Sequence, residues 1–289
     1  MPDWSSITRH LNEAGVPISD SATPSAVGGG DISAAWRLTA DDRDVFLKTG
    51  RIDSLHMFTG EAEGLAEIAK TNALRVPEVY AVGQTADAAF LALEWLSFDR
   101  SDTTVEQRFG EQLAKMHRTT ARRYGWHRYN TIGLTAQENP WSADWITFFQ
   151  EHRLGYQLQL AADNGFTGDL QTQGRRLQKR LPSYFNGYTP VPSLLHGDLW
   201  GGNWASSGGE PLIFDPAVYY GDRETDLAMT RLFGGFGSAF YEAYEATWPL
   251  EPGHHERLKL YQLYHVLNHL NLFGSAYLGR SLALMSALL

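Results

Sequence analysis

The chain has 289 residues, 43% of them hydrophobic, and carries 24 Lys and Arg against 33 Asp and Glu for a formal charge of −9. That length allows one large domain or two lobes around a substantial core, and the acidic balance argues against a broad nucleic-acid surface while leaving room for a local cationic pocket for one nucleotide. There is no cysteine, which excludes disulfides (and any disulfide-linked dimer), thiolate metal sites and cysteine nucleophiles.

The start, Met1-Pro2-Asp3-Trp4, lacks the basic region and apolar run of a signal peptide. Residues 3–15 have helical spacing, with Trp4, Ile7 and Leu11 on one face. A Ser/Pro/Gly-rich stretch ends in Val27-Gly28-Gly29-Gly30-Asp31, and two strands are predicted over 33–39 and 44–49, joined by the polar turn Ala40-Asp41-Asp42-Arg43. Phe58, Leu65 and Ile68 predict a helix over 55–71. An extended segment starts at Val76-Pro77-Glu78-Val79, and residues 90–96 have the length and composition of a buried strand. After Phe98 the character changes: helices are predicted over 103–118, 142–163, 169–181, 225–247 and 255–273. The apolar tail 281–289 is too short for the ~20 residues of a membrane span and has the look of the end of a packed helix. A strand-rich first third thus precedes a helix-rich remainder. The expectation is an α+β, bilobal kinase-like chain: a small N-lobe over 1–96 with an antiparallel sheet and one main helix, then a mostly helical C-lobe over 97–289. A cytoplasmic location is expected, with no membrane and no nucleic-acid partner.

Chemistry concentrates in His196-Gly197-Asp198-Leu199-Trp200-Gly201-Gly202-Asn203. Kinase catalytic loops read H-R-D-L-x-x-x-N, and Asp198 and Asn203 keep the separation between the acid and the amide. Asp198 is the candidate that accepts or orients the acceptor's hydroxyl proton, Asn203 is a candidate Mg²⁺ ligand, and His196 is a structural residue of the loop. Asp215, closing the apolar run Leu212-Ile213-Phe214, stands where a second metal-binding carboxylate is needed, followed by Pro216-Ala217. An acid and an amide are hard oxygen ligands that suit Mg²⁺. Lys48 ends the apolar run Val45-Phe46-Leu47 and fits a strand lysine that neutralises ATP phosphates. Its carboxylate partner is Glu61 or Glu63, between which spacing alone does not choose. Gly28, Gly29 and Gly30 permit close approach of backbone N–H groups to phosphate. Glu94 and Leu96 fall where a hinge between lobes would meet adenine. Tyr219 and Tyr220, beside Asp222 and Glu224, suit a polyol or amino-sugar site, though a packed turn reads the same way locally. Asp226 opens a helix, where an aspartate can also be a cap. His265 and His269 have metal-ligand spacing but lack a third ligand.

These residues resemble the fructosamine-3-kinase (ketosamine-3-kinase) family. The likeness runs through the 196–203 loop, Asp215-Pro216-Ala217, Tyr219-Tyr220-Gly221-Asp222-Arg223-Glu224, Phe233-Gly234-Gly235-Phe236, Phe58-Thr59-Gly60-Glu61, Thr131-Ile132-Gly133 and Leu267-Asn268-His269-Leu270-Asn271, and so covers nearly the whole chain. The resemblance implies an aminoglycoside-phosphotransferase-like fold and transfer of the ATP γ-phosphoryl group to the 3-hydroxyl of a ketosamine, a fructosamine or ribulosamine on a small amine or a glycated protein. The product would shed its sugar, which is deglycation. It also implies that Glu61 is the helix glutamate, that Trp200 and His269 lie near the sugar, and that Asp226 supports the catalytic loop. Arg128-Tyr129-Asn130 and Ala136 depart from the family pattern and are expected to bear on acceptor preference. The alternatives are a kinase of the same fold acting on an aminoglycoside, choline or homoserine-type acceptor, and a non-catalytic ATP-binding pseudokinase.

Overall fold

The computed structural model describes residues 2–19, 22–28, 33–39 and 44–289. Its first part is a five-stranded antiparallel sheet, β1 (Pro24–Val27), β2 (Ala34–Thr39), β3 (Asp44–Gly50), β4 (Val79–Gln84) and β5 (Ala89–Glu94), in the order β1-β2-β3-β5-β4. Two helices cover its faces. Helix α1 (Trp4–Glu13) is capped by the Asp3 carboxylate accepting from the Ser6 amide and lays Ile7 and Leu11 on Val45, Leu47, Phe90 and Ala92. Helix α2 (Leu55–Ala69) lays Phe58, Ala62 and Leu65 on Ala89, Leu91 and Leu93. Successive strand side chains alternate between faces, so Val45 and Leu47 meet α1 and Lys48 is sent to the α2 side.

The remainder is mainly helical. Helix α3 (Thr103–His117), whose Asp102 cap accepts from the amides of Thr104 and Val105, packs on α8 (Ser238–Thr247). A short hairpin, β6 (Asn130–Ile132) with β7 (Thr135–Gln137), precedes α4 (Trp145–Phe149), α5 (Tyr156–Asp163) and α6 (Asp169–Arg180). Two small ladders frame the loop at 196–203: β8 (Ser193–Leu195) pairs with β11 (Tyr219–Gly221), and β9 (Trp204–Ser207) pairs with β10 (Glu210–Ile213). Helix α7 (Glu224–Thr230), α9 (His254–Phe273) and α10 (Leu278–Leu288) complete the lobe. One apolar core joins these elements, centred on Trp145, Phe148, Phe149, Tyr261 and Tyr264. Among the described residues no helix is long and apolar enough to cross a membrane.

Three predicted elements differ. The 142–163 helix starts at Trp145, capped by Asp144, and carries a π-helical stretch at Gln150–Gly155. The 225–247 helix is two, because Gly234 and Gly235 adopt φ of 79° and 94° and the chain turns in close to Gly201: a Cβ on Gly235 would lie 2.7 Å from the Gly201 Cα. The 90–96 strand stops at Glu94, leaving Trp95 and Leu96 in the connection to the large lobe. Edge strand β1 lies inside what the composition marks as a loop.

Candidate active site

A cleft of about 1360 Å³ runs between the sheet and the helical part, reached by residues of both. At its centre the Lys48 Nζ donates to Glu61 Oε1 at 2.7 Å and to Asp215 Oδ1 at 2.6 Å. Strand alternation aims Lys48, α2 supplies Glu61, and Asp215 follows β10 with a left-handed φ of 57°, a conformation that a short polar side chain tolerates best. Burial opposes the Lys48 charge, but Asp215 and Glu61 outweigh it and hold the ammonium above its ordinary pKa. Burial, with Asp215 crowding the same ammonium, raises Glu61 to about 7 against the pull of Lys48. Glu63 takes no part: it turns to the large lobe, accepting from His127 Nε2 at 2.8 Å and from Arg128.

The 196–203 loop lies across the cleft from Lys48. Gly197 has a φ of 84°, and a Cβ there would come within 2.0 Å of the Ala217 carbonyl oxygen, so only glycine lets the two segments cross. Asp226, on α7, ties the loop down. Its carboxylate accepts from the amides of His196 at 2.7 Å and Gly197 at 2.9 Å, and from His117 Nε2 at 3.1 Å. Burial alone would raise this carboxyl; those donors, with His196, hold it below its ordinary value. His196 is buried. Its Nε2 donates to the Phe214 carbonyl at 2.9 Å while Nδ1 accepts from the Asp198 amide at 3.3 Å, so one imidazole braces both acidic segments of the site. Burial lowers its pKa and keeps it neutral. Asn203, which borders the cleft, donates its side-chain amide to the Asp198 carbonyl at 2.9 Å. Among the described residues no donor reaches the Asp198 carboxylate, and burial, with Asp215 and Asp226 nearby, pushes it up to about 7.

The sheet end of the cleft is bordered by Gly28, Glu94 and Leu96; Glu94 is held by Arg75 at 2.7 Å. Gly29 and Gly30 lie outside the described residues. At the opposite end stand Trp200, 41% exposed, and His269, whose ring packs among Phe233, Phe273 and Tyr277 at 4.7, 5.5 and 5.2 Å. His265 is fully buried in α9 and does not line the cleft with His269. Among the described residues no group of three or more His, Asp or Glu is arranged to hold a metal by itself.

Tyr219 and Tyr220 are corrected: neither lines the cleft. Tyr219 is fully buried beneath Arg153, whose guanidinium sits 4.0 Å from the ring centre. Tyr220 points the other way and donates to Glu67 at 2.8 Å. Both faces of β11 are covered, which local sequence could not reveal. The departures at Arg128, Tyr129 and Ala136 also lie off the cleft; of that group only Asn130 borders it. His117 was missed. Its one signal is its place in the last turn of an otherwise apolar helix face, beside Met116.

The family model described as fructosamine kinase matches residues 3–289. The chain is 43% identical to a "Probable ketoamine kinase" of Synechocystis, over 95% of this chain and 92% of that protein. It is 42% identical to the chloroplastic "Protein-ribulosamine 3-kinase" of Oryza sativa subsp. japonica, over 90% of this chain and 77% of that one. The crystal structure of a protein provisionally named fructosamine-3-kinase, from Haemophilus somnus 129PT, superposes with a TM-score of 0.91 at 31% identity, covering 99% of this chain and 97% of the other.

Proposed function

This chain belongs to the fructosamine kinase family and is a phosphotransferase acting on a hydroxyl, and on that premise we propose that it moves the γ-phosphoryl group of ATP to the 3-hydroxyl of a ketosamine. The observation that carries this reading is the Lys48 ammonium held between Glu61 and Asp215 in the same cleft as Asp198 and Asn203. Phosphoryl transfer asks a protein mainly to position two substrates and to stabilise charge, and the roles divide accordingly.

Lys48, fixed in direction by its two carboxylates, neutralises phosphate oxygens. Gly28, Glu94 and Leu96 border the nucleotide end, and the lobes divide after Leu96. Among the described residues no donor meets the Asp198 carboxylate, which is therefore available to take or orient the acceptor's hydroxyl proton. A carboxyl pushed up to about 7 is a better base at neutral pH than an ordinary aspartate. Trp200 and His269 receive the sugar: an aromatic face and a neutral imidazole suit a polyol. His196 and Asp226 hold the loop that carries Asp198.

The donor set fits Mg²⁺. One carboxylate (Asp215) and one amide oxygen (Asn203) are too few for a cage of protein ligands, but they match an ion that takes one or two protein oxygens and completes its shell with phosphates and water. When bound there it supplies further neutralisation of phosphate charge. The acceptor class is taken from the ketoamine and ribulosamine substrates in the names of the relatives, with ketosamines on small amines or on protein lysines as substrates and loss of the sugar, hence deglycation, as the consequence. The test is mass spectrometry of ribulosyl-lysine and fructosyl-lysine incubated with the protein, ATP and Mg²⁺, beside an aminoglycoside, choline and homoserine. One added phosphoryl group on a ketosamine is the expected result; phosphorylation of another acceptor alone would overturn the assignment.

A further inference from the structure

We propose that Glu63, held by His127 and Arg128, is a positioning residue that clasps α2 to the large lobe and so keeps Glu61 against Lys48; the proposal rests on the phosphotransfer reading above. On a helix, residues two apart point some 200° apart, whereas residues four apart share a face. With Glu61 turned into the cleft, Glu63 and Glu67 turn together to the other side. There Glu63 meets His127 Nε2 and Arg128, and Glu67 accepts from the Tyr220 hydroxyl. Beside them runs a seam of two glycines. A Cβ on Gly60 would lie 3.2 Å from the Asn130 Cβ, and one on Gly64 would lie 3.1 Å from the Val218 Cγ2 and 3.4 Å from Pro216. The helix backbone therefore rests on two pieces of the large lobe.

Both pieces matter to the site. Asn130 is itself fixed, donating to the Val218 carbonyl at 2.8 Å and accepting from Gln137 and Asn139 at 2.9 and 2.8 Å. Pro216 directly follows Asp215, and Val218 comes two residues after Pro216. The helix that supplies Glu61 thus lies against the segment that supplies Asp215, and the two carboxylates on Lys48 are set by one contact. In that arrangement the carboxylate of Glu63 is the charged latch. It takes two cationic or cation-capable partners, and Arg128 is mostly buried, with a quarter of its side chain exposed. Arg128 acts here through α2 rather than through the acceptor.

The test uses the full chain with Glu63→Arg, Arg128→Glu and the double exchange, plus Glu63→Gln should a reversal fail to fold. Three quantities are read: kcat with ribulosyl-lysine and ATP, the KM of each substrate, and hydrogen exchange of the α2 amides. Each single change is expected to lower kcat about fivefold, the kinetic equivalent of about 1 kcal/mol, to speed α2 exchange, and to leave the ketosamine KM within about twofold. The double exchange is expected to recover to within about threefold of the parent, because the charges again attract. A pair that merely stabilises would shift the melting temperature and leave kcat of the folded protein alone. Wild-type kcat and α2 exchange in the single variants, or no recovery in the double, overturns the proposal. A parent chain that phosphorylates no ketosamine refutes the phosphotransfer reading instead, and α2 exchange then decides the clasp by itself.

Discussion

Replacing Asp198 by Asn should make the protein more stable and nearly inactive at the same time, and the size of the gain should depend on pH. In the folded chain burial, with Asp215 and Asp226, raises this carboxyl from 3.8 to about 7. A rise of roughly three pH units at 1.36 kcal/mol each corresponds to about 4 kcal/mol against the ionised form. The side chain is partly open to the cleft, and water screening brings this to about 2 kcal/mol. The sign follows from proton uptake. Between pH 4 and 7 the folded state holds a proton that the unfolded state has lost, so wild-type stability from this group falls as pH rises through that window. Asparagine carries no such cost, and the loop's own bonds to residue 198 run through its backbone. The variant should therefore melt about 3–6 °C higher than the parent at pH 8, with the gap closing as pH falls below 7 and gone near pH 4. Glu61 and Glu224 are also raised, but both proteins share them and they cancel in the difference. Thermal unfolding of both proteins from pH 4 to 8.5 is the assay. A variant less stable at pH 8, or a gap that does not change with pH, refutes the argument that Asp198 is a desolvated, donor-free carboxylate. Turnover should fall at least ~10²-fold while ATP binding persists.

Lys48→Met should weaken nucleotide binding and leave Glu61 buried beside Asp215 without a cation, costing about 3 kcal/mol at pH 8. The loss should shrink toward pH 6 as Glu61 takes up a proton, and denaturation at the two pH values reads it directly. Trp200→Ala should raise the ketosamine KM by about tenfold and the ATP KM by less than twofold; steady-state kinetics showing the reverse pattern would remove Trp200 from the acceptor end.

The parts of this protein legible in the chain are those whose chemistry is written in local spacing. Asp198 and Asn203 sit in one loop at the separation that kinase catalytic loops keep between acid and amide, and the alternation Val45-Phe46-Leu47-Lys48 sorts a strand's two faces without reference to anything distant. Family likeness was legible for the same reason, since short local runs such as Thr131-Ile132-Gly133 carry it. What failed depended on partners far away in the sequence. Tyr219 and Tyr220 look available for a sugar until β11 pairs with β8 and Arg153 and Glu67 arrive to cover the two faces. The 225–247 helix reads as continuous because a glycine pair inside an apolar run costs only about 1 kcal/mol each in a helix; the partner that the turn meets, Gly201, lies about thirty residues away in the chain.

The choice between Glu61 and Glu63 shows where the limit lies. Both acids stand on one amphipathic helix, and nothing within ten residues separates them. What separates them is that His127 and Arg128 occupy one side of α2 and Lys48 the other, a fact assembled from three segments. Gly60 and Gly64 do not decide it either. Their face packs on the large lobe, but at about 100° per residue it lies about 80° from Glu61 on one side and about 80° from Glu63 on the other. The glycines mark the side of the helix that comes close to another backbone, and only the placement of β3 on one flank and of His127 and Arg128 on the other assigns the two acids.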